Sequence, residues 1–474
     1  MKVLLFFFDG APSGMVQQWV REGKLPFLAK LQKNGISGKT KSTVPPITPV
    51  AVTSMYTGKN AGKTGISART DAHGNLISST HVHEKAFWDY LSEAGYSSLI
   101  YHVPMTYPPN PLQGIMVTGY GTPLDTSDFT YPPKIPYQDE LVTQAEEKKV
   151  LPEKGFPQFV QDLCHLTERR FATLAKLEHH QHFDFTLFFL PESDRLQHFC
   201  FAEKNLLLKY YQFVDRKLEE LKNRIKYDVV FISTDHGFES SAPRKFSPNT
   251  WLAEQDSLIF YGGTWGKCVF LPVYDFAVKH IPLSFIIRMR NFFKKQKKEY
   301  HKPLRTQQTG RLIPGVNWKK TKAYTDCEWG IRVTDHATPY DKEMLLKQLA
   351  ALHDNGLPVC RFVAAREHIF SGAFMHQLPD IVFLPRNGLE SFLTLAKRSL
   401  QDKEPHDYKF SQGFKIEGMH DYDQDGIFFA AGQDIPKRKS KDCSIMDFFP
   451  TVLSLFRVKL PADIDGRAIL RSRR

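Results

Sequence analysis

The chain has 474 residues, 42% hydrophobic and 24% charged, the composition of an ordinary globular protein with room for roughly two or three domains. Its formal net charge of +12 and pI near 9.2 suit attraction of an anionic substrate or surface, or reflect a basic proteome. The opening apolar run Val3 to Phe8 is far short of the ~20 residues of a membrane span and lacks a signal-peptide cleavage pattern. Six cysteines (Cys164, Cys200, Cys268, Cys327, Cys360 and Cys443) include no close pair. That spacing argues against a zinc ribbon and a dense disulfide framework, and makes a reducing cytoplasm the expected location.

In chain order, Lys2 to Phe8 is a continuous apolar run closed by Asp9-Gly10, the pattern of a central parallel strand covered on both faces. Asp9 then falls at the carboxyl end, where open α/β sheets place ligands. Residues 14–33 have roughly helical spacing, with Leu25, Phe27, Leu28 and Leu31 facing inward. Pro45 and Pro46 force an extended approach to Thr48-Pro49, and an apolar stretch with helical promise follows. Thr48 is expected as the helix N-cap, its hydroxyl at the positive end of the helix dipole. Gly58-Lys59-Asn60-Ala61-Gly62-Lys63 is one residue short of a P-loop register, although its lysines suit an anion.

Further on, a helix is expected over 84–95, a strand over 97–101 and a proline-rich surface connection over 123–157. A helix around 158–180 leads into the apolar strand Phe183–Leu190, followed by Asp194-Arg195-Leu196-Gln197-His198. A helix over about 204–225 leads into the strand Tyr227–Thr234, which ends in Asp235-His236-Gly237. From 241 to 400 the pattern loosens. Within it, 281–305 is a basic amphipathic piece with Phe285, Met289, Phe292 and Phe293 on one face. It reads either as a peripheral contact with an anionic membrane or as an excursion packed on the enzyme with a solvated basic face. A helix is expected over 341–353 and a strand over 380–384. Gly418-Met419-His420 precedes another apolar strand from Asp425. A terminal helix spans 444–456. Strands alternating with helices predict an α/β fold with a mostly parallel sheet.

One grammar repeats: an apolar strand, then acid and imidazole at its carboxyl end. Collected, these are Asp9, Asp194, His198, Asp235, His236 and His420, joined by the Thr48 hydroxyl. Aspartate and imidazole without cysteine suit zinc, with manganese and iron as alternatives. Six such ligands exceed the set of one four-coordinate catalytic zinc and fit two divalent ions. Three aspartates and a Thr48 alkoxide would balance the four positive charges.

The pieces Phe8-Asp9-Gly10, Pro45-Pro46-Ile47-Thr48-Pro49, Asp194-Arg195-Leu196-Gln197-His198, Thr234-Asp235-His236-Gly237-Phe238, Gly418-Met419-His420 and Pro461 to Arg467 resemble the alkaline phosphatase superfamily. Within it the chain is similar to the type I phosphodiesterase/nucleotide pyrophosphatase group. The resemblance implies a three-layer sandwich, with core pieces 1–240 and 401–474 and an inserted cap over 241–400. It implies one metal on Asp9, Thr48, Asp235 and His236, and a second on Asp194, His198 and His420. It also implies Thr48 as nucleophile, a phosphothreonine intermediate and a small phosphorylated substrate, with no specific nucleic-acid binding. Lys59, Lys63 and Arg195 are the candidate contacts for substrate charge. Two features depart from the family pattern. Thr64 stands where relatives carry His, and the phosphate-binding Asn of nucleotide pyrophosphatases has no clear counterpart. A phosphomutase or phosphomonoesterase is the alternative activity, and a catalytically inactive binding protein the alternative of another class.

Overall fold

The protein is seen as a computed structural model that describes residues 1–70, 76–261, 304–305, 312–313, 315–404, 407–408, 410–411, 413–420 and 425–470. Strand β1 (Val3–Phe8) is the middle of the molecule, and every one of its side chains is at most 1% exposed. Val3, Leu5 and Phe7 enter one apolar cluster and Leu4, Phe6 and Phe8 a second, so both faces of the sheet are covered. That is why the run reads as uninterruptedly apolar and not as alternating.

The other strands of the sheet are β2 (Gly35–Lys41), β3 (Ser98–Val103), β4 (Gly114–Thr118), β5 (Thr130–Tyr131), β6 (Phe185–Leu190) and β7 (Val229–Thr234), with the Asp425–Gly432 strand and two short pieces near 440. Together they make a ten-stranded sheet in which β7, β1, β6, β3 and β4 are consecutive neighbours and parallel. The Asp425–Gly432 strand lies antiparallel between β7 and β2.

Helices α1 (Ser13–Arg21) and α2 (Pro26–Asn34) hold the inward positions expected of 14–33: Leu25, Phe27, Leu28 and Leu31 are all buried. Next come α3 (Thr48–Thr57), α4 (Ala61–Thr64), α5 (Phe87–Glu93), α6 (Gln144–Lys149), α7 (Phe156–His180), α8 (Glu192–Cys200) and α9 (Lys204–Arg224). Residues of α1, α2, α7 and α9 pack on one face of the sheet. Those of α3, α5 and the Phe448–Leu455 helix pack on the other. The result is the three-layer α/β sandwich expected from the sequence.

Two expectations change. The 123–157 connection is not merely surface, because it contains β5 and α6. Strand β2 was not foreseen: its sequence Gly-Ile-Ser-Gly-Lys-Thr-Lys has little strand character, and its long pairing with Asp425–Gly432 fixes it instead.

Within 241–400 a four-stranded antiparallel sheet runs in the order Ala323–Cys327, Gly330–Val333, Ile381–Pro385, Cys360–Ala365. It packs with the Pro339–Ala350 helix on a separate apolar cluster that includes Trp251, Ile331, Leu345 and Phe383. The basic piece 281–305 lies outside the described residues apart from Leu304 and Arg305. Among the described residues, no helix is long and apolar enough to cross a membrane.

Behind α8, one fully buried cation joins three helices. Arg170 of α7 donates from Nε to Glu192 Oε1 at 2.6 Å and from Nη2 to Glu147 Oε2 at 2.9 Å. Replacing Arg170 by Ala strands two buried carboxylates without a counter-charge. We expect Arg170→Ala to lose about 3–5 kcal/mol of stability. A thermal unfolding midpoint equal to wild type would contradict this.

Candidate metal centre and active site

The carboxyl ends of β6, β1 and β7 lie level. Phe8 is in register with Leu190 on one side and Thr234 on the other. The residues that follow therefore arrive at one place. Asp9 leaves β1, and Asp235 and His236 leave β7. Asp194 and His198 come four apart on α8, directly after β6, so both face the same way. His420 arrives from the far end of the chain: the Gly418–His420 strand pairs antiparallel with Phe238–Ser240, setting His420 opposite Phe238.

Gly10 makes the first turn possible. Its φ is +63°, and a Cβ there would lie 2.9 Å from the Phe238 ring and 3.0 Å from His236 Cε1. Its N–H donates to Asp235 Oδ1 at 3.0 Å, locking one carboxylate in place.

Thr48 differs slightly from expectation. Ile47 is the N-cap and Thr48 the first residue of α3, with no side-chain cap. The hydroxyl is engaged elsewhere: Oγ1 lies 3.2 Å from Asp9 Oδ1 and 3.3 Å from His236 Nε2.

Around it the donor atoms crowd. His236 Nε2 is 3.4 Å from Asp9 Oδ1 and 3.5 Å from Asp235 Oδ2. Asp194 Oδ1 is 3.2 Å from His198 Nε2 and 3.4 Å from His420 Nε2. Ligand atoms of Asp9, Asp235 and His236 all lie within 4.8 Å of one another, as do those of Asp194, His236 and His420. The His236 and His420 rings stack with centroids 3.7 Å apart. All seven predicted metal-site residues are thus brought together.

Two features test whether these residues fit a metal. First, each imidazole holds its Nδ1 against a backbone carbonyl: His236 on Gly237 at 3.0 Å, His198 on Gly418 at 2.9 Å, and His420 on Pro46 at 2.9 Å. A carbonyl has no proton to give, so Nδ1 carries a hydrogen and Nε2 is the nitrogen left to meet a cation, which in His236 would displace the proton its raised pKa holds. That second hydrogen bond is the usual device for orienting a metal-ligating histidine. Second, Asp194 Oδ1 and Asp235 Oδ2 are buried oxygens without a hydrogen-bond partner, which is costly unless a cation meets them. The set fits divalent metal.

The electrostatics agree. Burial, reinforced by Asp235 and Asp194, pushes the Asp9 carboxyl well above its usual range, and burial also raises Asp235. For His236, burial opposes the charged form but Asp235 and Asp9 prevail, lifting it to about 9. Burial, then the charge of His236, depresses His420 to about 3. Burial works against the Asp194 anion, yet His198 and His420 hold it well below the carboxylate range. Acids pushed up beside a base pushed up mark a shortage of positive charge.

The centre forms part of the wall of a cavity of 510 Å³. Core residues Asp9, Thr48, Asp194, His198 and His420 line it together with Cys327, Glu328, Trp329 and Glu390 of the 241–400 region. The three cations expected at the substrate are otherwise engaged. Lys59 pairs with Glu84 at 2.6 Å and Asp463 at 2.5 Å, and Lys63 with Asp465 at 2.6 Å. Neither lysine lines the cavity. Arg195 does line it, but its guanidinium donates to the backbone carbonyls of Glu147 and Val150 at the end of α6. The cations that do face the cavity without a partner among the described residues are Arg69 and Lys148. No local sequence pattern marks either of them.

Residues 3–423 match the type I phosphodiesterase / nucleotide pyrophosphatase family. The chain belongs to that family. It is therefore a hydrolase of phosphoric esters, in a metal-dependent family.

Among solved structures it is similar to murine ectonucleotide pyrophosphatase / phosphodiesterase 5, at 15% identity and a TM-score of 0.54, with 98% of each chain covered. An inactive form of that murine protein in complex with AMP matches at 14% identity and a TM-score of 0.55, covering 98% of this chain and 97% of that one. Phosphonoacetate hydrolase from Sinorhizobium meliloti 1021, in complex with phosphonoformate, matches at 13% identity and a TM-score of 0.58, covering 95% of this chain and 94% of that one. These likenesses concern the fold. No match was found among curated proteins.

Gly10 offers a test of the centre that substitutes none of the candidate ligands. A methyl group at Gly10 must displace His236 or Phe238, so Gly10→Ala is expected to weaken affinity for an added divalent metal by about 10–100-fold. Competition with a chelating dye measures this, and unchanged affinity would contradict the geometry described.

Proposed function

We propose that this chain hydrolyses small phosphoric esters, of the phosphodiesterase/nucleotide pyrophosphatase kind, by attack of Thr48 Oγ1 on phosphorus in a site holding two divalent cations. The observation that carries this reading is the position of the Thr48 hydroxyl, within 3.3 Å of two of the converging donor groups and at the first residue of a buried helix. Asp9, Thr48, Asp235 and His236 would hold one cation, and Asp194, His198 and His420 the other. Zinc is the expected metal for an Asp/His donor set, with manganese or iron as alternatives. When bound, such cations stabilise charge on phosphoryl oxygen and favour the deprotonated hydroxyl.

The chain's own residues do the rest. Thr48 Oγ1 donates to Asp9 Oδ1 at 3.2 Å, so its proton has an acceptor in place. Ile47 and Pro49 flank Thr48 on the cavity wall, which keeps the nucleophile at the surface a substrate reaches. In-line attack forms the Thr48 O–P bond and breaks the bond to the leaving oxygen. Water then breaks the Thr48 O–P bond, releases phosphate or a phosphomonoester, and restores the hydroxyl. The full donor set argues against an inactive binding protein. A cytoplasmic location fits the five described cysteines, all of which are free.

Thr48→Ala, loaded with zinc or manganese, is expected to lose about a thousandfold or more in kcat while keeping its metal. Turnover by Thr48→Ala equal to wild type would be falsifying for the nucleophile. Chelation of the wild-type protein should abolish turnover of nitrophenyl phosphate esters, and re-addition of zinc should restore it. Activity that survives exhaustive chelation would count against the metal site.

A further inference from the structure

The strand Phe238–Ser240, which pairs with the strand bearing His420, runs on into Ser241, a residue of the cavity wall. Glu390 lines the same cavity from the 241–400 region. It lies in the Leu389–Ser391 strand, in register with Lys245 of the Arg244–Phe246 strand. One lysine joins the two. Lys403 Nζ donates to Glu390 Oε2 and, at 3.2 Å, to Ser241 Oγ. The side chains of Lys403 and Glu390 are 1% and 5% exposed. The rings of Phe392 and Tyr408 face the same ammonium at 5.3 and 5.4 Å. A bare carboxylate in this wall would repel an anionic substrate, and Lys403 cancels that repulsion. What the wall then presents is hydrogen-bonding capacity more than charge. Ser241 Oγ accepts from Lys403 and keeps its own proton as a donor. A carboxylate has about four acceptor positions, of which Lys403 takes one.

We propose that Ser241 and Glu390, held together by Lys403, bind a hydroxyl on the organic substituent of the phosphoric ester and select hydroxylated esters over apolar and cationic ones. This rests on the hydrolysis at Thr48 proposed above and names the substituent that the same cavity takes. The argument is complementarity. A hydroxyl both donates and accepts, so it satisfies the Glu390 carboxylate and the Ser241 proton together. An apolar substituent would shut water away from both groups and give neither a partner. A cationic substituent would find the charge of Glu390 already matched by Lys403. Glyceryl and ribosyl groups both carry the required hydroxyl, on an open chain and on a ring. The 510 Å³ cavity, lined by both the core and the 241–400 region, has room for either. Lys403 touches no substrate in this scheme and is a positioning residue.

The test uses p-nitrophenyl phosphodiesters that share a leaving group and differ in the second substituent: glyceryl, ribosyl, propyl and 2-aminoethyl. On zinc-loaded wild type, kcat/KM for the glyceryl or the ribosyl ester should exceed that for the propyl and aminoethyl esters by about tenfold or more. The better of the two hydroxylated esters tells an open-chain hydroxyl from a ring-borne one. Ser241→Ala should bring the ratio of hydroxylated to propyl ester close to one, with the change in KM. Removing one partner of the buried pair would strand the other charge, so Glu390→Met and Lys403→Met are made together. That double variant should collapse the ratio in the same way. A wild type that prefers the propyl or aminoethyl ester, or a ratio retained in both variants, would overturn the proposal.

A binding measurement stands apart from turnover. By calorimetry, glycerol 1-phosphate or ribose 5-phosphate should bind zinc-loaded wild type more tightly than propyl phosphate, and Ser241→Ala should erase that difference. Retention of the difference in Ser241→Ala would also overturn the proposal. Thr48→Ala, run beside these variants, separates the two readings. Wild-type turnover by Thr48→Ala sinks the nucleophile, whereas the binding preference still reports on Ser241 and Glu390.

Discussion

Three carboxylates set side by side at the ends of adjacent parallel strands are the constraint on which this molecule is built. Strands β6, β1 and β7 run in the same direction and end level, so Asp194, Asp9 and Asp235 are driven together before any side chain chooses its partner. Burial and mutual repulsion make that arrangement unfavourable by itself, as the raised Asp9 and Asp235 carboxyls record. The surrounding structure steers more donors toward the same point and offers few protons to relieve it. Gly10 gives an N–H to Asp235 at 3.0 Å, and three histidines turn Nε2 inward by anchoring Nδ1 on carbonyls. Such a collection makes physical sense only around added positive charge.

The outer network holds that collection in place. Arg170 joins α7 to Glu147 of α6 and Glu192 of α8, and Arg195 closes the end of α6 through two carbonyls. Both fix α8, the helix that bears Asp194 and His198. Helix α3, which bears Thr48, is fixed at its opposite end. Gly58, which ends α3 at φ +68°, accepts from the N–H groups of Asp465 and Gly466. Lys59 and Lys63 seize Asp463 and Asp465 next to it. The two lysines that resemble anion contacts in sequence thus fasten the terminal loop to the base of α3. Their work is positional, some distance along the helix from Thr48.

This explains what could and could not be read beforehand. Strands whose faces are both buried must be apolar throughout, so β1, β6 and β7 announce themselves, and so do the acids that close them. The Asp and His side chains at strand ends were legible because the backbone alone delivers them. Strand β2 was not, since Gly35 to Lys41 carries two glycines and two lysines and owes its state to a partner almost 400 residues later. The roles of Lys59, Lys63 and Arg195 were not legible either. Whether a cation faces a substrate or a carboxylate depends on residues distant in sequence, such as Asp463 or Val150. Arg69 and Lys148 escaped for the same reason: only the folded cavity shows that both line its wall.

The position of Thr48, one residue inside its expected place, carries a consequence for chemistry. As an N-cap its oxygen would accept from the helix's own N–H groups and be satisfied there. As the first helical residue it faces outward, towards Asp9 and His236. Helix α3 has no side-chain cap and no acid in its first turn, and all ten of its residues are buried. Its positive end therefore meets no acid from its own first turn, and the dipole acts beside Asp9 where the Thr48 oxygen sits. A negative charge forming on that oxygen, or on a phosphoryl group beside it, meets a field already in place. The apolar character of α3 is thus part of the site: burying the helix is what keeps its dipole effective at the Thr48 oxygen.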